Sequence, residues 1–259
     1  MTSIAAHRAD TTSAHNSSIE RVLRHMTNHL DEPMNLDHLS KVAFISKFHF
    51  IRVFEETTGV SPHVFLVALR MQAAKQLLLT TDLSVTDICL QIGYSSLGTF
   101  CRIFSALVGV SPQSLREKSK NYTTENMYSD ALRFLRRQRA CSTSFIAGRI
   151  DGSRSPGAIF VGAFAEALPR GKPLSGTIVI GPGAFRIDRP QRPQFHLLCL
   201  SLPFSMSPFG PLASEIESVR VARVKLVRPN EGSTVPTLVL RPVRITDPPL
   251  IVALPMLLA

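Results

Sequence analysis

None of the four cysteines (Cys89, Cys101, Cys141, Cys199) stands in a C-x-x-C pair. The thiols are therefore read as reduced, in a cytosolic setting. The first eighteen residues, MTSIAAHRADTTSAHNSS, are polar and lack the apolar segment of a secretory signal. The apolar tail PPLIVALPMLLA is too short and too broken by proline to span a bilayer, so no membrane partner is expected. Nucleophile-elbow and phosphate-loop motifs are both missing, which leaves an enzyme with no supporting constellation. His25 and His29 sit at i, i+4, but no carboxylate or cysteine completes a metal site. Neither a metal nor another cofactor is expected.

Acidic residues are scarce: 29 Lys and Arg face 19 Asp and Glu, a net charge of +10. Such a balance favours an anionic partner. The excess is unevenly placed. Residues 1–121 carry 12 basic and 10 acidic residues, whereas residues 122–259 carry 17 and 9. Net charge therefore does not mark the first half as a nucleic-acid binder, and that case rests on individual side chains.

What is present is a repeat. RVFEETTGVSP (52–62) and RIFSALVGVSP (102–112) agree at six of eleven positions with an offset of 50. Two copies are too few for a solenoid. Each closes a helix–turn–helix pattern. In the first, Leu36–Gly59 reads as a helix, a tight turn at 44–46 and a second helix capped by Ser46. Phe50, Val53 and Phe54 form its core face, and Lys47, Phe48, Ile51, Arg52 and Glu55 face outward. In the second, Val85, Ile88 and Ile92 point inward, the turn passes Gly93–Ser95, and Ser96 caps the second helix. Phe100, Ile103 and Phe104 form its core, and Leu97, Gly98, Cys101, Arg102 and Ser105 face out. Ile19, Val22, Leu23, Met26 and Leu30 mark an earlier helix with Ser18 as N-cap. Between the units, 63–81 reads as a helix launched by Pro62.

The second helix of such a unit fits the major groove, where its exposed N-terminal side chains meet base edges. Arg52 and Arg102 occupy equivalent outward positions, suited to bidentate pairing with guanine. Phe48 and Ile51 suit thymine methyls, and Lys47 suits phosphate. A rod of helix between two such units lets one chain do what a helix-turn-helix dimer does.

SKFHFIRVFEETTGVSPHVFLVALRMQAAKQLL and SVTDICLQIGYSSLGTFCRIFSALVGVSPQSLR, with Arg70-x-x-x-Ala74 between the units, resemble the DNA-binding domain of the AraC/XylS regulators. The resemblance covers about residues 19–116. It implies a seven-helix, two-headed reader of double-stranded DNA that binds near promoters and contacts RNA polymerase. It places base reading on Phe48, Ile51 and Arg52, and on Leu97, Gly98, Cys101 and Arg102. The sequence departs from the pattern in three places. Phe44 replaces the usual turn glycine, and Ser40 and Cys89 replace the usual first-helix alanines. Gly98 weakens its helix by roughly 1 kcal/mol against alanine.

After residue 143, short β-branched runs alternate with Pro and Gly, which predicts a β-sandwich or barrel. GTIVIGPGAFRIDRPQRPQFHLLCLSL is similar to transthyretin-like (prealbumin-like) modules. The expected organisation is multidomain: a flexible arm over 1–17, an all-α double helix-turn-helix domain over 18–120, a basic helical linker over 121–143 and an all-β sandwich-like region over 144–259. The leading function is a cytoplasmic, sequence-specific transcription regulator whose β region takes an effector or a protein partner. The rival is a protein- or carbohydrate-binding module whose helix-turn-helix units no longer read DNA.

Overall fold

A computed structural model describes residues 2–121, 144–152, 157–203, 216–227, 235 and 237–251, with isolated positions between 122 and 143. The linker expected over 121–143 lies largely outside the described residues. Seven helices come first: α1 (Thr2–Asn28), α2 (Leu36–Ala43), α3 (Lys47–Thr58), α4 (Pro62–Thr80), α5 (Val85–Gln91), α6 (Leu97–Val108) and α7 (Pro112–Asn121).

The flexible arm expected over 1–17 is helical backbone from Thr2 onward. Ala5, Ala6, Ala9 and Ala14 are strong helix formers, and no Gly or Pro interrupts the chain before Pro33. Ser18 is consequently not an N-cap. It lies inside α1, where its hydroxyl accepts from Arg21 at 3.4 Å.

The repeat becomes two matching cores. In the first, Ile19, Val22, Leu23 and Met26 of α1 pack with Leu39, Phe50, Val53, Phe54, Phe65 and Leu66. In the second, Met71, Ala74 and Leu78 of α4 pack with Ile88, Cys89, Phe100, Phe104, Val108 and Leu115. Helix α4 serves both, its N-terminal half in the first core and its C-terminal half in the second. The aromatic pairs correspond at the offset of 50. Phe50 and Phe54 meet edge to face at 5.5 Å, and Phe100 and Phe104 at 5.6 Å. Such pairs contribute about 0.5–1.5 kcal/mol beyond their burial.

The shared GVSP has one construction twice. Gly59 and Gly109 close α3 and α6 in the left-handed region, at φ 79° and 95°. Ser61 and Ser111 then accept from the amides of Val64 and Ser114. Pro62 and Pro112 begin α4 and α7, where a missing N–H costs nothing.

Among the described residues, the β region has two sheets. Its strands are β1 (Phe145–Asp151), β2 (Gly157–Phe164), β3 (Ser175–Ile180), β4 (Gly183–Asp188), β5 (Gln194–Pro203), β6 (Arg220–Val227), β7 (Leu238–Val239) and β8 (Arg241–Pro242). The smaller sheet runs β4-β1-β7, with β1 and β7 parallel, and the larger runs β3-β2-β5-β6-β8, all antiparallel. Ile146, Ile150, Phe185 and Ile187 of the smaller sheet pack against Ile159, Val161, Phe195, Leu197 and Cys199 of the larger. The larger sheet is also apolar on its other face, at Phe160, Phe164, Ile178, Leu198, Leu200 and Val221.

That second face lies toward the helices. The apolar tail forms no strand at the two residues of LIVALP that are described. Leu250 and Ile251 have no strand partner. Ile251 instead enters the second helical core, as does Leu168. The Leu250 carbonyl accepts from Nζ of Lys75, which is fully buried on α4. Gly171 N–H donates to the Leu107 carbonyl of α6. Burial without a carboxylate pushes Lys75 down to about 7, because desolvation disfavours its charged form.

Candidate nucleic-acid interface

Helix α2 is held by α1 at its C-terminal end. Arg21 Nε donates to the Val42 carbonyl at 3.0 Å and its Nη2 to that of Ala43 at 3.3 Å, so two end carbonyls of α2 gain a donor. The guanidinium lies 4.7 Å above the Phe44 ring. Phe44 sits in the left-handed region at φ 59°, and no other non-glycine residue among those described has positive φ. That conformation costs roughly 1–2 kcal/mol for a residue bearing Cβ. The second turn is built differently. There Gly93 takes the left-handed position at φ 83°, and a Cβ on it would lie 2.6 Å from the Leu30 carbonyl and 2.9 Å from Arg70.

Arg70 joins the two units. Its Nε donates to the Leu30 carbonyl and its Nη2 to that of Glu32, both at 2.9 Å. Its guanidinium faces the Tyr94 ring at 5.6 Å. One α4 side chain thus ties the end of α1 to the turn of the second unit.

None of the eight residues expected to meet DNA is a buried core residue, although Ile51 and Cys101 pack against the edges of the two cores. On α3, Lys47, Phe48 and Arg52 are exposed and Ile51 is half-buried. Phe48 is 86% exposed, far more than a side chain of that size ordinarily is without a partner. Lys47 pairs with Asp37 at 2.9 Å and Arg52 with Glu56 at 3.2 Å. Exposed pairs of this kind are worth about 0.2–1 kcal/mol, so either cation can leave its partner at little cost. On α6, Leu97, Gly98 and Arg102 are exposed and Cys101 is half-buried. Arg102 has no partner among the described residues. A Cβ on Gly98 would meet nothing within 4 Å.

The caps are unequal. Ser96 accepts from the Thr99 amide at 3.3 Å. Ser46 holds the N-cap position of α3, but the expected side-chain bond is not made. The first amides of α3 therefore stay open, where a helix favours an anion. Of the two departures in the first helices, Ser40 is satisfied by donating to the Asp37 carbonyl, and Cys89 is a small buried residue whose thiol burial pushes up.

Sequence reasoning missed Arg21 and the Phe44 pairing, because Arg21 lies on a helix whose relation to α2 is purely tertiary. It also missed a third histidine. His25 Nε2 lies 2.8 Å from that of His38, whose ring stacks on it, and the His29 ring lies 4.4 Å from that of His25 at a tilt of 32°. Burial and its two histidine neighbours hold His25 below the usual imidazole range. Among the described residues, no group of three or more His, Cys, Asp or Glu is arranged to hold a metal ion. No described helix is long and apolar enough to cross a membrane.

The family model described as a helix-turn-helix domain matches residues 39–118. The chain is similar to the regulatory protein PocR of Salmonella typhimurium, 27% identical over 104 residues, covering 40% of this chain and 34% of that protein. It is 33% identical over 94 residues to the MmsAB operon regulatory protein of Pseudomonas aeruginosa, covering 36% and 31%. The chain thus spans about a third of the length of the curated relatives it matches. Among solved structures, an AraC-type regulator from Chromobacterium violaceum matches with 24% identity over 41% of this chain and 95% of its own, at TM-score 0.39. The DNA-binding domain of AdpA, solved with a target DNA, matches with 28% identity over 40% and 95%, at TM-score 0.38. The helical region is a helix-turn-helix domain. Over residues 39–118 it is of the AraC type of DNA-binding domain.

Proposed function

We propose that the chain is a sequence-specific transcription regulator that reads two successive major-groove segments, one with α3 and one with α6. The carrying observation is the doubled geometry. Two second helices rest on matching phenylalanine pairs and turn Arg52 and Arg102 outward at the same register. Helix α4 separates the units with 19 residues, about 28 Å at 1.5 Å per residue, of the order of one ~34 Å turn of DNA. Arg52 and Arg102 read guanine edges, while Phe48, Ile51 and Leu97 supply apolar contact. Gly98 leaves room for close backbone approach, and Cys101 sits at the edge of the reading face. Lys47 and the uncapped start of α3 hold phosphate. Double-stranded DNA is the first partner and RNA polymerase at the promoter the second. The β region answers to an effector or protein. The protein works in the cytoplasm and catalyses no reaction.

Selection of bound sites from a random DNA pool, followed by fluorescence anisotropy, tests this. The log of affinity for the selected site should fall steeply and linearly with log salt. Arg52→Ala should weaken the selected site about fivefold or more, as loss of about 1–3 kcal/mol of base discrimination implies, with random DNA changing under threefold. Equal losses on both DNAs would reject base reading by Arg52.

A further inference from the structure

A cleft of about 730 Å³ lies between the two regions, within the ~300–1,000 Å³ range of small-molecule sites and in the interdomain position such sites favour. One wall is the C-terminal end of α3 and the start of α4, including Glu55 and Ser61. The other is the outer face of the larger sheet, including Phe164, Leu198, Arg223 and Lys225.

The polar groups of this cleft are unevenly satisfied. Arg241 is bound by both oxygens of Asp247, at 2.7 Å each. Glu166 is paired with Arg170. Arg223 makes no hydrogen bond to a carboxylate among the described residues, although the charge of Asp247 lies near enough to favour its cation. Its Nη1 and Nη2 donate to the Ala167 and Pro248 carbonyls at 3.2 and 2.8 Å, while its Nε–H is buried with no partner among the described residues. A buried orphan donor costs about 1–3 kcal/mol, and for a charged group more. Lys225, two residues along β6, also lacks a partner among the described residues. His196 lies opposite Lys225 in the register, and burial with the two cations holds its imidazole low, so it adds a neutral donor or acceptor. Phe164 and Leu198 supply apolar wall beside these groups.

We infer that this cleft is an effector site for a small organic anion, its acidic group on Arg223 and Lys225 and its apolar body against Phe164 and Leu198. The bound anion bridges the β region to the end of α3. Its effect on DNA rests on the reading of α3 as a recognition helix; its binding does not.

The test uses the full chain and two probes, benzoate and phenyl phosphate, with benzyl alcohol as the neutral control. The side-chain Nε–H resonance of Arg223 is followed by NMR, and DNA affinity by anisotropy. A saturable shift with at least one anion and none with benzyl alcohol is expected. Lys225→Gln, at an exposed position, should raise the dissociation constant about fivefold, the equivalent of one exposed charge pair. Absence of a saturable shift with either anion, or a shift insensitive to Lys225→Gln, overturns the site. Saturation that leaves DNA affinity unchanged overturns its regulatory role. A protein that binds the anion but no DNA at all refutes the DNA-reading function while leaving the site standing. Carboxylate and phosphate ligands are separated by which probe saturates first.

Discussion

Phe44 and Gly93 do the same conformational task at unequal cost. Phe44 is exposed and left-handed, offset only by the Arg21 stack. Phe44→Gly should therefore raise unfolding stability by about 1 kcal/mol, read as a shift in the urea midpoint at constant slope. Gly93→Ala should lower it by more than about 2 kcal/mol, because its new methyl group would meet the Leu30 carbonyl as well as an unfavourable φ. The sequence marks both turns but not this difference. Glycine at 93 advertises a left-handed position, whereas phenylalanine at 44 hides one. The outward residues of α3 and α6 were legible because a helical period separates them from phenylalanines four apart. Arg21, Arg70 and Tyr94 were not legible as an assembly, since their partners lie up to 40 residues away and are mostly backbone carbonyls.

At the scale of elements, α3 and α6 are copies in their buried halves and differ on their exposed halves. Helix α6 carries the flaw, an open Gly98 in its first turn. Gly98→Ala should stabilise the protein by up to about 1 kcal/mol, measured by denaturant unfolding. If α6 approaches DNA through that glycine, the same variant should weaken affinity for the selected site, so stability and binding would move in opposite directions. Helix α1 shows where pattern reading stops. Its apolar stripe from Ile19 is plain, but the polar residues before it read as an arm, because no apolar period marks them as helix. Helix α4 gave a signal that went unused. Its apolar residues occupy more than one face, as a helix buried on several sides requires. Lys75 among them looks like a surface lysine until the β region covers it.

Across the whole molecule, Lys75 and the Leu250 carbonyl fasten one region to the other. The folded lysine titrates near 7 and the unfolded one near 10.5. Above pH 7 the unfolded chain holds a proton that the folded chain lacks, so stability should rise with pH from 7 to about 8.5. Beyond that the buried Cys199, pushed up to about 12, acts in the opposite sense as unfolded thiols ionise. His25 and His196, both held low, also make stability rise with pH, but only below about 6.5. Melting temperature followed from pH 7 to 8.5 should climb in the parent and stay flat in Lys75→Met. The two sheets were foreseeable from the spacing of the β-branched runs. Their docking onto α4 and α6 was not, because it depends on Leu168 and Ile251 reaching a core formed by residues far earlier in the chain.

Because α4 belongs to both helical cores at once, neither α3 nor α6, the two proposed reading helices, can pivot without disturbing the packing of the other. The helix acts as a caliper of fixed opening. Inserting about five base pairs between the two contacted segments, half of a ~10.5 base-pair turn, would carry the second to the far side of the duplex. Gel-shift affinity should then collapse to that of a single head, and return in part only when a full turn restores the phase and the DNA bends to shorten the gap.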